Sequence, residues 1–224
     1  MTDKLQVEYL EWQSGPAPTW TVIWLHGLGA DGHDFEPIAP QLGLASSPSV
    51  RFIFPHAPIR PITINGGMEM RGWYDVKGMA FDREEDREGI EQSTAMINRL
   101  IKYENQRGIE TANIILAGFS QGGAIALFCG LRYPQPLGAI IALSTYLPDA
   151  ASFDRERSDA NQGVPVFMAH GTQDPVIPIT LAERSLQILV QMKYQVEWHT
   201  YPMPHSVNAE ELQDIAGFIH QTVR

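Results

Sequence analysis

The sequence predicts an α/β domain with a mostly parallel central sheet and helices on both of its faces. Short apolar runs alternate with helical patterns along the 224 residues, and this alternation is typical of strands joined by crossover helices. The runs are nearly continuous in apolar residues, as in strands buried on both faces, and Gly and Pro border them. The length fits one domain covering residues 1–224.

The clearest strand candidates are five apolar runs, at residues 22–25, 52–54, 114–117, 139–142 and 166–169. Val196, Trp198 and Thr200 alternate with more polar neighbours, which is typical of a strand near a sheet edge. Residues 7–12 fit a first, antiparallel edge strand.

Helices are predicted between these strands from apolar stripes and start signals. One stripe consists of Ile90, Ile97, Leu100 and Ile101. Two further helices begin with capping boxes, formed by Thr180 with Glu183 and by Asn208 with Glu211. Residues 57–82 fit neither pattern and are rich in Gly and Pro. A long irregular segment inside a compact domain is usually functional.

Charge and cysteine content narrow the functional class. The formal net charge is -10, and no run of basic residues offsets it, which argues against nucleic acid or an anionic membrane as a partner. Cys129 is the only cysteine, so no intrachain disulfide forms and a reducing, cytoplasmic location is expected. The N-terminus lacks a signal-peptide pattern, and no apolar run reaches the ~18 residues that span a bilayer, so we expect no stable membrane anchor.

The strongest chemical motif is Gly-Phe-Ser-Gln-Gly at residues 118–122. It follows the best strand candidate and precedes a segment rich in small residues, and a strand, a sharp turn and a helix are the setting of a nucleophile elbow. Such a turn lifts the Ser120 hydroxyl clear of the sheet, and the flanking glycines permit close backbone approach. The helix that follows directs the positive end of its dipole at the site. We therefore predict Ser120 as a nucleophile rather than as part of an ordinary Gly-rich turn.

A serine nucleophile needs a base and an acid that orients it, and with such an elbow the chain order is Ser, Asp or Glu, then His. His205 lies in a loop after a strand and before the last helix, at the edge of the sheet where open α/β folds keep their sites. His199 lies inside a strand and His220 on the last helix, and His170 is expected to pack beneath the loop that follows it. We therefore predict His205 as the base.

The orienting acid is predicted to be Asp174, which also follows a strand. An Asp before Pro is common in turns, so a purely structural turn is the alternative. The other acids that follow the serine, Asp149, Asp154 and Asp159, lie in a polar stretch typical of a surface excursion. Asp174 would hold the His205 ring in the required tautomer and stabilise its charged form.

The oxyanion of an acyl-transfer reaction needs two backbone N–H donors. One is expected from Gln121, the residue after the nucleophile. The other is expected from the glycine-rich loop at residues 26–32, where spacing leaves Leu28 and Gly29 as alternatives. The loop lacks the Lys and Ser/Thr of a phosphate-binding loop. No group of Cys, His or Glu has the spacing of metal ligands, so no metal and no other cofactor is expected.

These motifs together resemble the phospholipase/carboxylesterase family, which includes bacterial carboxylesterases and acyl-protein thioesterases. The resemblance extends from about residue 20 to the C-terminus. Its segments are residues 25–32, 54–58, 73–75, 118–123, 143–148, 170–178 and 204–206. Family members often have Gly where Thr145 stands, and no functional consequence is attached to that difference.

The resemblance implies an α/β-hydrolase fold without a separate cap domain. It implies Ser120, Asp174 and His205 as a catalytic triad, and it selects Leu28 over Gly29 as the partner of Gln121 in the oxyanion hole. It also implies that the long loop around Trp73 borders an acyl-binding channel. We expect the channel to be lined by Met68, Met70, Trp73 and Val176, although Met and aromatic clusters are as often plain core.

The implied function is that of a serine carboxylesterase that hydrolyses short-to-medium acyl esters through an acyl-serine intermediate. An acyl-protein thioesterase or a lysophospholipase would use the same chemistry, so the expected partner is a small-molecule ester or an acyl thioester on a protein. Homodimers are common in the family, so a homodimer is one assembly to test. A ligand-binding relic of the fold without catalysis is the alternative from another class, and the intact Ser, Asp, His order argues against it.

Overall fold

The computed structural model describes residues 7–45, 48–78 and 85–223. The strands are β1 (Tyr9–Gln13), β2 (Trp20–Leu25), β3 (Val50–Pro55), β4 (Ile59–Ile62), β5 (Met68–Arg71), β6 (Ile114–Phe119), β7 (Ala139–Leu143), β8 (Val166–Gly171) and β9 (Val196–Tyr201). The α-helices are α1 (Arg87–Gln106), α2 (Gln121–Arg132), α3 (Ala150–Glu156), α4 (Ile179–Gln191) and α5 (Ala209–Thr222).

Seven of these strands form one sheet in the order β1-β3-β2-β6-β7-β8-β9. β1 pairs with β3 antiparallel, and every other neighbouring pair in this sheet is parallel. The predicted mostly parallel sheet with an antiparallel first edge strand is confirmed. Because β2, β3, β7 and β8 are buried along their whole length and β6 along all but its last residue, their sequences are nearly continuous apolar runs.

Helices cover both faces of the sheet, as predicted. Side chains of α1, α2 and α4 pack with alternate strand residues such as Ile23 and Leu116 in one core. Side chains of α5 and of the 3-10 helix Glu36–Leu42 pack with the intervening strand residues, such as Trp24 and Ile115, in the other. The period-2 alternation of the strands divides their side chains between the two cores.

Two local predictions need correction. The segment 57–82, predicted to be irregular, contains the antiparallel hairpin β4–β5, and its residues 79–82 lie outside the described part of the chain. Helix α4 begins one residue before Thr180, with Pro178 as its N-cap and no side-chain capping bond. The cap predicted on α5 is present, since Asn208 Oδ1 accepts from the Glu211 N–H at 2.8 Å.

Within the described ranges, no helix is long and apolar enough to cross a membrane.

Candidate active site

The predicted catalytic residues all lie at the carboxyl edge of the parallel sheet. Ser120 follows β6 directly, Asp174 follows β8, and His205 follows β9. The glycine-rich loop 26–32 begins at the end of β2, which is the direct neighbour of β6. The parallel topology therefore brings together residues that are up to 179 positions apart in the chain (205 minus 26).

The backbone at Ser120 is the sharp turn predicted from its motif. Ser120 has φ 55° and ψ −120°, a conformation that L-residues rarely adopt and that stores strain. A Cβ on Gly118 would lie 2.4 Å from the Gly122 carbonyl group, and one on Gly122 would lie 2.4 Å from the Leu25 carbonyl oxygen. Both positions therefore need glycine, because the strand, the turn and α2 approach each other at backbone distance.

His205 and Asp174 form a short hydrogen bond. His205 Nδ1 lies 2.6 Å from Asp174 Oδ2, and the Asp174 side chain is fully buried. The other carboxylate oxygen of Asp174 accepts from the N–H groups of Val176 and Ile177 at 2.8 and 2.9 Å. Because an ionised carboxylate can only accept, His205 carries a proton on Nδ1 and has its lone pair on Nε2. That is the tautomer that a general base requires.

Ser120 and His205 line the same cavity, which has a volume of about 690 Å³. The His205 ring packs against Phe119, with ring centroids 4.7 Å apart. Most of the other lining side chains are apolar, and they come from the loop after β2, the 3-10 helix Glu36–Leu42, the loop after β8, and the segment that leads into the first turn of α5. They include Leu28, Phe35, Ile38, Val176, Val207 and Leu212.

Backbone amides that could stabilise an oxyanion lie beside Ser120. Gln121 is the first residue of α2, where an N–H has no acceptor within the helix. The Gly29 N–H donates to the Arg71 carbonyl oxygen at 2.8 Å, so this amide is already engaged. The Leu28 N–H makes no backbone hydrogen bond within the described ranges. Of the two donors that spacing left open, Leu28 is the one available.

Comparison with known proteins identifies the family. A sequence profile of the phospholipase/carboxylesterase family matches residues 12–223. The chain belongs to this family. It is 39% identical to acyl-protein thioesterase 1 of Mycosarcoma maydis, over 94% of each chain, and 40% identical to that of Gibberella zeae, over 91% of this chain and 90% of the relative.

Solved structures agree with this membership. The structure of Zea mays acyl-protein thioesterase 2 superposes with a TM-score of 0.86 at 25% identity, covering 97% of this chain and 99% of that one. Arabidopsis thaliana SOBER1 gives a TM-score of 0.86 at 29% identity, covering 92% and 99%. The chain thus has the α/β-hydrolase fold and is a hydrolase of the phospholipase/carboxylesterase family.

The four side chains expected to bind substrate are dispersed in this hydrolase. Val176 lines the cavity beside Ser120, whereas Met68, Met70 and Trp73 are not among its lining residues. Trp73 is a fully buried core residue whose indole N–H donates to the His26 carbonyl oxygen at 2.8 Å. Met68 and Met70 lie on β5 of the hairpin, and Met68 is 63% exposed.

Sequence reasoning missed several side chains that form the cavity wall. None of Phe35, Ile38, Phe119 and Leu212 was predicted as a site residue. Phe119 stands next to the nucleophile inside the elbow motif, so its position was a usable signal. Phe35 and Ile38 lie in and beside short 3-10 helices, which give no periodic pattern in the sequence.

His170 lies beneath the loop that carries Asp174, as predicted. Its side chain is fully buried, and its Nε2 lies 2.8 Å from the Ile177 carbonyl oxygen and 3.4 Å from Asp174 Oδ2. Burial lowers the pKa of His170, partly offset by its contact with that carbonyl and by the charge of Asp174. A neutral His170 with its proton on Nε2 therefore donates into the turn that contains the predicted acid.

The structure also brings together Asp31, His33 and His56, whose possible ligand atoms lie within 4.8 Å of one another. Their spacing in the sequence gave no signal. His56 Nδ1 accepts from the Gly32 N–H at 3.0 Å, so the proton of the neutral ring resides on Nε2. His33 Nδ1 already pairs with Asp31 at 2.8 Å. A His56 ring in this state has no lone pair left for a cation, so the donor set does not fit a metal.

Proposed function

We propose that this chain is a serine hydrolase that cleaves acyl esters and acyl thioesters through an acyl-Ser120 intermediate. The catalytic residues of the proposal are Ser120, His205 and Asp174. The observation that carries it is the His205–Asp174 hydrogen bond of 2.6 Å at the wall of a cavity that Ser120 also lines. In a family of hydrolases, this arrangement supplies a base in the required tautomer at the same cavity as the serine nucleophile.

The reaction begins when Ser120 Oγ attacks the acyl carbonyl carbon while His205 Nε2 takes the hydroxyl proton. The carbonyl oxygen becomes an oxyanion, and the N–H groups of Leu28 and Gln121 stabilise its charge. His205 then gives its proton to the leaving alcohol or thiol as the carbon–oxygen or carbon–sulfur bond breaks. The product of this half-reaction is an ester between the acyl group and Ser120.

Water completes the turnover. His205 removes a proton from a water molecule, which attacks the acyl-Ser120 carbonyl carbon. The resulting oxyanion accepts hydrogen bonds from the same two N–H groups. Collapse of this intermediate releases the carboxylic acid and returns the proton from His205 to Ser120. Throughout both halves the buried Asp174 carboxylate stabilises the protonated ring without taking the proton.

The apolar wall of the cavity favours an acyl or other apolar group as the bound part of the substrate. An acyl thioester on a protein is as good a candidate as a small ester, because the relatives with 39–40% identity are acyl-protein thioesterases and the chemistry is shared. Rates on p-nitrophenyl esters of rising chain length, compared with the rate on a peptide acylated at cysteine, would rank the two substrate classes.

The test of the mechanism is Ser120→Ala. Hydrolysis of p-nitrophenyl acetate and butyrate should fall by at least about 10³-fold, as expected when a nucleophile is removed, and labelling by a fluorophosphonate should disappear while the circular dichroism spectrum is unchanged. Ser144→Ala is a matched control, because Ser144 is also a buried serine with positive φ (46°) but does not line the cavity. Wild-type turnover in the Ser120→Ala protein would refute the proposal, and an unlabelled wild-type protein would favour a non-catalytic relic.

A further inference from the structure

The oxyanion donors proposed above belong to two peptide groups whose carbonyl oxygens are each held by a buried side chain. The Gln121 N–H shares its peptide group with the Ser120 carbonyl oxygen. That oxygen accepts a hydrogen bond of 2.7 Å from the Thr145 hydroxyl, and Thr145 is 1% exposed. The Ala124 N–H also donates to it, at 3.1 Å.

Because the peptide group is planar, the contact that holds the Ser120 carbonyl oxygen also fixes the direction of the Gln121 N–H. In a trans peptide the carbonyl oxygen and the following N–H point in opposite directions. With the Ser120 carbonyl oxygen turned towards Thr145, the Gln121 N–H must point away from Thr145. Ser120 combines φ 55° with ψ −120°, and rotation of this peptide group to a ψ of about +50° would move the residue into the allowed left-handed region and relieve strain. A short hydrogen bond from a fixed hydroxyl opposes that change and also polarises the amide.

The second peptide group is held in the same way. The Leu28 N–H shares its peptide group with the Gly27 carbonyl oxygen, which lies 2.7 Å from His26 Nδ1 and accepts from the Ala30 N–H at 3.3 Å. His26 Nε2 accepts from the Ala57 N–H at 3.0 Å. The His26 proton therefore lies on Nδ1, and the ring donates to Gly27.

His26 is suited to this fixed role. It is 1% exposed, and its ring packs against Trp73 with centroids 5.1 Å apart. Burial lowers the pKa of His26, with the Gly27 carbonyl as the main opposing influence, so the ring is neutral at physiological pH and keeps this tautomer. The loop it holds contains Gly27 and Gly29, the latter at φ 77°, and glycines give a backbone little resistance to reorientation.

We propose that Thr145 and His26 are positioning residues that orient the two peptide groups of the oxyanion hole. Neither side chain touches the reacting atoms; each acts through the carbonyl oxygen on the far side of a donor amide. This inference rests on the proposed function, because it takes the N–H groups of Gln121 and Leu28 as the donors.

Thr145→Val and Thr145→Ser test the first half. Valine keeps the shape and removes the hydroxyl, and serine keeps the hydroxyl. We expect Thr145→Val to lower kcat by about 10- to 100-fold with little change in KM. The hydrogen bond from the Gln121 N–H to the oxyanion forms mainly in the transition state, so a misdirected N–H weakens transition-state binding more than substrate binding. Affinity for an acyl trifluoromethyl ketone, whose adduct with Ser120 carries an oxyanion, should fall by a similar factor. Thr145→Ser should restore both values.

The matched control is Ser144→Ala, which removes the neighbouring buried hydroxyl. Within the described part of the chain, Ser144 Oγ has no hydrogen-bond partner, so kcat and ketone affinity should stay at the wild-type values. A Thr145→Val protein with wild-type kcat and ketone affinity overturns the inference. So does a loss of kcat with unchanged ketone affinity, because that pattern would place the defect outside the oxyanion hole.

His26→Asn and His26→Leu test the second half. The Asn amide can replace Nδ1–H as a donor to Gly27, whereas Leu cannot, and His26→Asn keeps the test valid if His26→Leu fails to fold. We expect His26→Asn to retain a greater share of kcat and ketone affinity than His26→Leu. If Asn is no better than Leu in proteins with wild-type dichroism spectra, the role of His26 is refuted. If His26→Leu does not fold, a folded His26→Asn protein whose kcat and ketone affinity fall by the roughly 100-fold expected for a lost oxyanion donor refutes it. Failure of the proposed function would show separately, as an active Ser120→Ala protein.

Discussion

Replacing Asp174 by Asn exchanges one carboxylate oxygen for an NH₂ group and should reverse the tautomer of His205. In the native protein one carboxylate oxygen accepts from the N–H groups of Val176 and Ile177, and the other accepts from His205 Nδ1. The two backbone N–H groups will hold the amide oxygen of Asn in the first position. The amide NH₂ then faces His205 Nδ1 as a donor. The ring must place its proton on Nε2, and it loses the lone pair that would take the proton from Ser120.

The size of the effect follows from this change of tautomer. An Asp-to-Asn change of the same kind in serine proteases lowers kcat by about 10⁴-fold, which corresponds to about 5 kcal/mol of activation free energy. The Asp174 side chain is fully buried, so solvent cannot take its place beside the ring. Both backbone hydrogen bonds to the side chain survive the substitution, so the free energy of unfolding should change much less than the activation free energy.

The assay is steady-state hydrolysis of p-nitrophenyl butyrate together with thermal unfolding. Asp154→Asn serves as the control, since Asp154 is 70% exposed and pairs only at the surface with Arg157. An Asp174→Asn protein with kcat within a few-fold of wild type would refute the reasoning. It would mean that Asp174 is a structural turn residue and that His205 either is not the base or is oriented by another group.

Three further outcomes can be checked with the same purified protein. His170→Leu, which removes the donor to the Ile177 carbonyl oxygen, should lower kcat by about tenfold by loosening the Asp174 turn, and His170→Gln, which keeps a donor, should recover most of it. Ile38→Trp should narrow the cavity and lower kcat/KM for long acyl esters by about tenfold relative to acetate; an unchanged chain-length profile would place the acyl group elsewhere. Burial raises the pKa of Glu211 from 4.5 to about 8, so in the folded protein this group keeps its proton above its unfolded-state pKa, and stability should fall as pH rises from about 5 towards 8. Glu211→Gln should remove about 2 kcal/mol of this fall between pH 5 and 7 in denaturant titrations, and an unaltered pH profile would contradict the shift.

The strand framework and the catalytic candidates could be predicted because each has a local signal. Buried parallel strands read as apolar runs, and the elbow around Ser120 needs small residues at Gly118 and Gly122 for a backbone reason that leaves a fixed spacing. Asp174 and His205 were selected by chain order and by their places after strands. Trp73, Met68 and Met70 had no comparable signal, because composition alone does not tell a core residue from a cavity wall.

The residues that line the cavity could not be predicted from local sequence patterns. Its wall combines Phe35 and Ile38, which follow β2, with Val207 and Leu212, which follow β9. These segments meet only because β2 and β9 lie on opposite sides of β6 with their carboxyl ends at one edge of the sheet. Neither segment shows by itself which apolar side chains face the nucleophile and which face the core.

The contact that Thr145 makes with a single peptide group could not be predicted from the sequence either. In the sequence it is a departure from the glycine that family members often have, and no consequence could be attached to it. The structure reveals its hydroxyl on the Ser120 carbonyl oxygen, a contact that depends on the pairing of β6 with β7 and on the sharp turn at the end of β6. Residues that orient a backbone act through atoms common to all amino acids, so their partners leave no mark in the sequence. A search for positioning residues in this hydrolase should therefore start from the carbonyl oxygens behind the proposed donors.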